Sequence, residues 1–270
     1  MSFRMKKYKC IVPVSGGKDS QACLKMAVEE FGASDVLGLF CDTKFEHPLT
    51  YQHVEKLKEY YGVDIHTLNG GDVVSECNKN ARFPSGTARF CTDKLKIRET
   101  KFFLKDYSEE YGEVQVWYGM RTDESQERAK RYQYRDPDDL YEPHVLLANY
   151  PKYLGRNGVR YRVPIVDWTR EEVIEYLEGK ENPLYGMGFD RVGCFPCLAA
   201  GDSWKIKAFT HDEFGKSQLI KVRQIEEETG KSVFTSNIGK AFNAGCMISK
   251  NQIDMFELGD SSHGCRICEI

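Results

Sequence analysis

The sequence predicts an α/β protein whose mostly parallel sheet is doubly wound, with helices on both faces. Short apolar runs alternate with helical segments over the first 180 residues, and a glycine turn follows the first run. The chain has 270 residues, of which 41% are hydrophobic and 29% charged, an ordinary globular balance. The net charge of −3 gives no overall field that attracts nucleic acid, and no apolar run approaches a membrane span.

The expected elements follow from apolar spacing and from glycine and proline punctuation. Each strand is a short apolar run between turn residues, and each helix has an apolar stripe such as Leu24, Ala27, Val28 and Phe31. The predicted strands are residues 8–14, 36–41, 63–68, 114–118 and 162–166. The predicted helices are residues 21–31, 50–61, 95–107 and 170–177.

Two regions interrupt this alternation. Residues 136–160 are polar and contain three prolines and an Asn-Gly pair, which indicates an inserted loop or hairpin. From residue 186 onward periodicity is weak and two C-x-x-C pairs occur. We therefore expect an α/β domain over residues 1–185 and a cysteine-bearing extension over residues 186–270.

The glycine turn after the first strand has the composition of a phosphate-binding loop. It consists of Ser15, Gly16, Gly17, Lys18, Asp19 and Ser20. The glycines permit close approach of backbone N–H groups to an anion, and the following helix adds favourable potential. Lysine supplies positive charge, while the aspartate suits a helix cap or Mg²⁺. The loop differs from the common G-x-x-x-x-G-K-[ST] pattern.

This hexapeptide resembles the PP-loop of the ATP pyrophosphatase superfamily, and four further segments resemble the phosphoadenylyl-sulfate (PAPS) reductase family. They are CDTKFEHPLTYQHVEKLKEYYGVDI at 41–65, FCTDKLKI at 90–97, WYGMRTDESQER at 117–128 and ENPLYGMGFDRVGCFPC at 181–197. The resemblance covers residues 8–197. It implies an adenine nucleotide alpha hydrolase-like fold and makes 1–185 a nucleotide-binding domain.

The resemblance also implies site residues. The six loop residues, with Asp42 and Thr43, would bind nucleotide. Asp42 suits either a ribose hydroxyl or Mg²⁺, or is a plain turn aspartate, and Lys44 stands where the family has glycine. Arg121 and Arg128 are the candidate substrate ligands, since guanidinium groups bind phosphate or sulfate in bidentate fashion. Seven residues apart, they would share one helix face. Lys18 and Arg121 are the candidate catalytic residues.

Two cysteine pairs suggest a metal centre. Cys194 and Cys197, with Cys265 and Cys268, offer four thiolates suited to Zn²⁺ or a [4Fe-4S] cluster, or else a redox dithiol. The resemblance favours iron–sulfur, with Cys91 as an alternative ligand where the family has a Cys-Cys pair. Cys10, Cys23 and Cys41 are expected in the core.

We expect an enzyme that activates a substrate with ATP and Mg²⁺ as an adenylate and couples this to sulfur transfer. One alternative is reduction of adenylyl sulfate or PAPS with a thioredoxin-like reductant. The Glu-Cys-Gly-(Leu/Ile)-His motif of family reductases is absent from the 270 residues. A second alternative is an ATP sulfurylase small subunit, and a third is a non-catalytic nucleotide-binding partner subunit.

Partners and location complete the expectations. Basic residues and tyrosines interleave between positions 130 and 162, which suits either tRNA or DNA or a solvated charged insertion. A sulfur donor or reductant is required by the chemistry. We expect a cytoplasmic protein without membrane contact that forms a homo-oligomer or belongs to a complex.

Overall fold

The computed structural model describes residues 5–148 and 150–245, and its centre is a five-stranded parallel sheet. The strands are β1 (Cys10–Val14), β2 (Val36–Asp42), β3 (Asp64–Asn69), β4 (Val114–Trp117) and β5 (Val159–Arg162). Their order is β3-β2-β1-β4-β5, and each neighbouring pair is parallel. The chain therefore winds outward from β1 in both directions. The predicted fold class is confirmed.

The helices of the described residues range from single turns to long amphipathic segments. In chain order they are α1 (Lys18–Phe31), α2 (Pro48–Tyr61), α3 (Val73–Lys79), α4 (Phe90–Thr92), α5 (Arg98–Tyr111), α6 (Gln126–Tyr132), α7 (Pro143–Leu146), α8 (Lys152–Arg156), α9 (Arg170–Leu177), α10 (Asp202–His211), α11 (Glu213–Thr229) and α12 (Asn237–Gly245). Short 3₁₀ turns lie at Ala33–Asp35 and Thr122–Glu124, and a π turn at Asp93–Ile97 precedes α5. Of these described helices, none has the length and apolar character needed to cross a membrane.

Alternation along the strands produces two apolar layers. Val12 and Val14 of β1 point to the side that packs against α1, α2 and α9, whereas Ile11 points to the side that packs against α5. Cys10 and Cys23 are fully buried on the first side, as predicted. Cys41 is only partly buried. Both faces of the sheet are thus covered, which explains why the central strands β1 and β2 are nearly continuous apolar runs.

The fifth strand begins three residues earlier than predicted. The apolar run 163–166 forms a buried turn after β5, while the alternating sequence Val159–Arg162 pairs with β4. The predicted inserted loop at 136–160 contains α7, α8 and the start of β5. One antiparallel bridge links Tyr141 to Tyr161, so the insertion returns directly to the sheet.

The described residues form two compact units. The first unit contains the whole sheet and consists of residues 5–70 and 93–193. The second unit consists of residues 71–92 and 194–245. In the second unit α10 packs against α11, and α11 packs against α3. The assignment of separate functional domains to residues 1–185 and 186–270 stays a prediction.

Candidate functional site

The segment from Ser15 to Ser20, which we call the phosphate loop, connects β1 to α1. Gly16 has φ +75°, and a Cβ there would lie 2.5 Å from the Thr50 side chain, so this position requires glycine. The Ser20 hydroxyl donates to the Gly17 carbonyl at 2.9 Å and accepts from the Ser15 N–H at 3.1 Å. The two serines therefore hold the loop closed at its base, a structural role that the sequence did not reveal.

Two buried cations share one carboxylate beside this loop. Lys18 Nζ lies 3.2 Å from Asp19 Oδ2, and Arg121 Nε donates to Asp19 Oδ1 at 2.6 Å. Arg121 also pairs with Asp123 at 3.0 Å. The side chains of Lys18 and Arg121 are only 5% and 3% exposed. The two predicted catalytic residues are thus brought together from positions about a hundred residues apart in the chain.

Burial lowers the pKa of Lys18, and the neighbouring Asp19 carboxylate opposes this shift. Because both oxygens of Asp19 face cations, this carboxylate anchors Lys18 and Arg121. With Asp123, two positive and two negative groups balance each other at the start of α1. An incoming polyphosphate would compete with these carboxylates for the same cations.

Gly119 explains how Arg121 reaches the phosphate loop. It follows β4, and a Cβ on it would lie 2.6 Å from the carbonyl carbon and oxygen of Asp19. Such contact is closer than any side chain permits, so the chain after β4 can touch α1 only at a glycine. Two residues later Arg121 extends to Asp19. Gly119 therefore has a packing function that the sequence alone did not indicate.

A second group of contacts, also unforeseen from the sequence, comes from residues 182–192, which we call the strap. Asn182 Nδ2 donates to the Gly16 carbonyl at 3.1 Å. The Tyr185 hydroxyl accepts from the Lys18 N–H at 3.1 Å, and its ring lies 5.6 Å beneath Lys18 Nζ. The Val192 carbonyl would be 3.4 Å from a Cβ on Gly17. The strap therefore lies directly against the phosphate loop.

The turn after β2, residues 42–46, is called the acidic turn below. Asp42 Oδ1 accepts from the Lys44 N–H and the Tyr51 hydroxyl, both at 2.8 Å. Glu46, which is 2% exposed, accepts from the Thr43 N–H at 3.2 Å and the Thr43 hydroxyl at 2.7 Å. Lys44 has φ +59°, the left-handed conformation that glycine would favour. The Asp42 carboxylate is thus bonded as a turn aspartate.

Arg121 and Arg128 do not share a helix face, so this part of the prediction is wrong. Arg121 precedes the 3₁₀ turn, and a break at Ser125 separates that turn from α6, where the Ser125 hydroxyl caps the Arg128 N–H. Arg128 forms an ion pair with Glu124. Burial lowers the pKa of Arg128, and the charges of Asp19 and Arg121 also act on it. Both arginines therefore lie within electrostatic range of the phosphate loop.

The predicted metal ligands are only partly described. Cys194 and Cys197 are half-buried and flank a cis Phe195–Pro196 peptide, and Cys91 is half-buried as well. Within 5–148 and 150–245 no three His, Cys, Asp or Glu side chains lie close enough together to hold a metal ion. Cys265 and Cys268 lie outside the described residues. The described cysteines alone therefore do not fit a zinc or cluster site.

Two arginines of the predicted basic region, positions 130–162, form ion pairs with carboxylates of the protein. Arg162 pairs with Glu30 at 2.8 Å and with Asp138 at 2.5 Å, and Arg131 pairs with Glu127 at 3.0 Å. Among the tyrosines, Tyr161 is buried, whereas Tyr134 is 87% exposed. These pairs are typical of a solvated charged surface. Contact with tRNA or DNA stays a prediction.

Comparison with known families gives one match that covers most of the chain. The family described as "Phosphoadenosine phosphosulfate reductase domain" matches residues 9–200. That range includes the phosphate loop, the acidic turn, both arginines and the strap.

Individual relatives agree with this match. An uncharacterized 37.8 kDa protein of Escherichia phage 186 is 30% identical over 247 residues, covering 72% of this chain and 68% of its own length. An adenosine 5'-phosphosulfate reductase of Salinibacter ruber is 28% identical over 60% of this chain and 58% of its own length. A sulfate adenylyltransferase subunit 2 of Stutzerimonas stutzeri is 29% identical over 182 residues, covering 64% of this chain and 57% of its own length. The two named enzymes are equally similar, so identity alone does not select a reaction.

Proposed function

Because this chain belongs to the phosphoadenosine phosphosulfate reductase domain family, we propose that it is an ATP-binding enzyme that adenylates a substrate and couples this step to sulfur transfer. The nucleotide would bind at the phosphate loop with Mg²⁺. The observation that carries the proposal is the buried pair of Lys18 and Arg121 on Asp19, at the carboxyl ends of β1 and β4. Ligands of open parallel sheets bind at that edge.

The cations suit the departure of pyrophosphate. In adenylation, an oxygen of the acceptor substrate attacks the α-phosphorus of ATP, and the bond between that phosphorus and the bridging oxygen to the β-phosphorus breaks. The electron pair leaves with pyrophosphate, whose developing negative charge Lys18 and Arg121 would stabilise. A sulfur nucleophile then displaces AMP from the acceptor, so that carbon–oxygen cleavage accompanies carbon–sulfur bond formation.

The loop backbone would act with these side chains. The N–H groups at the start of α1 point toward the loop, where the helix dipole favours an anion. Arg128 would contact the distal end of the nucleotide or the acceptor. Asp42 would position the acidic turn, with Thr43 beside the nucleoside.

The second candidate function is reduction of adenylyl sulfate or PAPS. It is favoured by the Gly-Cys-Phe-Pro-Cys segment at 193–197, and one relative bears the name adenosine 5'-phosphosulfate reductase. Among these 270 residues, Cys265 and Cys268 would be the candidates for the attacking cysteine. A thioredoxin-like reductant would then be the partner, in place of a separate sulfur donor.

Titration calorimetry on anaerobically purified protein separates the two functions. Mg-ATP, adenylyl sulfate and PAPS are titrated into the wild type and into Lys18→Ala, with Lys58→Ala as the control because Lys58 lies on α2 and pairs with Glu55. If the protein adenylates its substrate, we expect Mg-ATP to bind at least tenfold more tightly than either sulfonucleotide. That ratio corresponds to about 1.4 kcal/mol of binding free energy. A tenfold preference for a sulfonucleotide would establish the reductase instead. Loss of binding only in Lys18→Ala would assign the site.

The remaining assignments follow from this proposal. Residues 1–185 would carry nucleotide chemistry, and 186–270 would carry cysteine chemistry with either an iron–sulfur cluster or zinc. An enzyme with reduced thiols fits the cytoplasm. The acceptor would be a small molecule, tRNA or DNA, and the protein would act as a homo-oligomer or within a complex.

A further inference from the structure

The strap contact at Lys18 occupies the place that a phosphate oxygen would take. The Lys18 N–H is the first of α1, and its hydrogen points at the Tyr185 hydroxyl oxygen at 3.1 Å. An N–H group at the start of a helix is the usual donor to a bound phosphate. In this chain a phenol oxygen, which is a neutral acceptor, takes that position.

The surroundings hold the phenol in place. Leu184 and Phe189, on either side of Tyr185 in the strap, are each 1% exposed. The Asn182 side chain ties the start of the strap to the Gly16 carbonyl and also accepts from the Leu184 N–H at 3.1 Å. Burial raises the pKa of Tyr185 to about 12, so the phenol stays neutral at physiological pH. The buried neighbours and the Asn182 contacts therefore anchor the strap independently of the Tyr185 hydroxyl.

We propose that Tyr185 is a built-in stand-in for phosphate, whose side chain must leave the Lys18 N–H before polyphosphate binds at the phosphate loop. This proposal rests on the proposed function, because it takes the phosphate loop as the nucleotide site. The anionic phosphate oxygen is a stronger acceptor than the neutral phenol, so the exchange is favourable. In the resting state Tyr185 satisfies the helix donor, and Asp19 satisfies Lys18 and Arg121.

A residue in contact with a binding loop is ordinarily expected to support ligand binding, but Tyr185 should oppose it. Removing the hydroxyl should strengthen ligand binding, because the ligand no longer has to break a protein hydrogen bond. A co-ligand to phosphate would behave in the opposite way, since its removal would weaken binding. The sign of the change in affinity therefore decides between the two roles.

The test measures binding of magnesium pyrophosphate to the full chain by calorimetry. Tyr185→Phe should bind about fivefold more tightly than wild type, the worth of one neutral hydrogen bond. Tyr176→Phe is the matched control, because its hydroxyl bonds Glu29 on α1 away from the loop, and its affinity should equal that of wild type. Equal or weaker binding by Tyr185→Phe would overturn the proposal while leaving nucleotide binding intact. If neither wild type nor Tyr185→Phe binds pyrophosphate or Mg-ATP, the proposed function fails with it.

A measurement on the wild type removes any dependence on the variant. Tyrosine nitration by tetranitromethane, mapped by peptide mass spectrometry, reports how accessible each ring is. Saturating magnesium pyrophosphate should raise nitration of Tyr185 at least threefold and leave that of Tyr134, which is already exposed, unchanged. Protection of Tyr185, or no change, would show that the ring stays in the loop and would overturn the proposal.

Discussion

The phosphate loop and the acidic turn follow neighbouring parallel strands, β1 and β2, yet their polar groups are arranged in opposite ways. In the phosphate loop, Lys18 and Arg121 arrive from different parts of the chain and meet at Asp19. In the acidic turn, Asp42 and Glu46 accept hydrogen bonds from residues no more than nine positions away. The phosphate loop thus brings together cations that are distant in sequence, whereas the acidic turn has carboxylates that accept hydrogen bonds from nearby residues.

This difference shows why position at the carboxyl edge of a sheet does not by itself make a ligand site. Carboxylates that are already bonded to their own turn add rigidity, whereas buried cations held by a shared carboxylate can exchange it for a stronger anion. We therefore expect the phosphate loop to control ligand affinity and the acidic turn to control stability. Four substitutions test that division.

The largest effect is expected for Lys18→Ala. Removing the buried ammonium group should weaken Mg-ATP binding roughly 100-fold, about 2.7 kcal/mol, because a charged hydrogen bond to phosphate is lost. Calorimetry measures the affinity, and circular dichroism checks the fold. An affinity within threefold of wild type would contradict the assignment of the phosphate loop as the nucleotide site.

Gly119→Ala should damage the contact that supports Arg121. The new methyl group would lie 2.6 Å from backbone atoms of Asp19, so β4 and α1 must separate. We expect a loss of about 2.5 kcal/mol in the free energy of unfolding, measured by urea denaturation. Gly86→Ala is the control, since no atom lies within 4 Å of a Cβ there. Equal stability of the two variants would show that the close approach is not required.

His53 on α2 contacts Gln21 on α1, and it should make stability depend on pH. Its Nε2 lies 2.9 Å from Gln21 Oε1, and burial lowers its pKa from 6.5 to about 4. Between these values the unfolded chain binds the proton and the folded protein does not, so stability falls as pH falls from 6.5 toward 4.

At pH 5 this linkage should cost about 2 kcal/mol of unfolding free energy relative to pH 7. His53→Gln, which retains a donor to Gln21 and has no titration, should lose correspondingly less stability over the same range. Urea denaturation of both proteins at the two pH values measures the difference. Identical pH dependence in the variant would exclude His53 as its source.

The smallest effect is expected for Glu46→Gln. The side chain keeps its shape but loses its charge, so its hydrogen bonds to the Thr43 and Phe45 N–H groups weaken. We expect about 1 kcal/mol lower unfolding free energy and a Mg-ATP affinity within threefold of wild type. Exposed Glu55→Gln is the control. A tenfold loss of affinity with unchanged stability would make the acidic turn a ligand site and remove the contrast.

The sequence predicted the central elements well because their signals are local. Four of the five strands begin within two residues of the expected positions, and helices α1, α2, α5 and α9 begin within three. At these positions apolar spacing and turn residues coincide. β5 was misplaced because the apolar run at 163–166 serves as a buried turn. Apolar character reports burial, and it does not distinguish a short buried strand from a buried turn.

The candidate site could be predicted only in part for the same reason. The residues of the phosphate loop are contiguous, and the two arginines stand in a recognisable segment, so both could be named as candidates from the sequence. The contributions of Gly119, Asn182 and Tyr185 depend on contacts with residues about a hundred or more positions away. The supposed common helix face of Arg121 and Arg128 failed because Ser125 starts a new helix between them.

The strap bonds to the phosphate loop across more than 160 residues, so the complete site exists only in the folded chain. By mass action, any ligand of that site raises the apparent stability by RT ln(1 + [L]/Kd), about 2.7 kcal/mol at a hundredfold excess over Kd. The melting temperature is therefore a readout of occupancy that requires no knowledge of the reaction. With Mg-ATP bound as a baseline, further upward shifts in a compound library would identify the acceptor substrate.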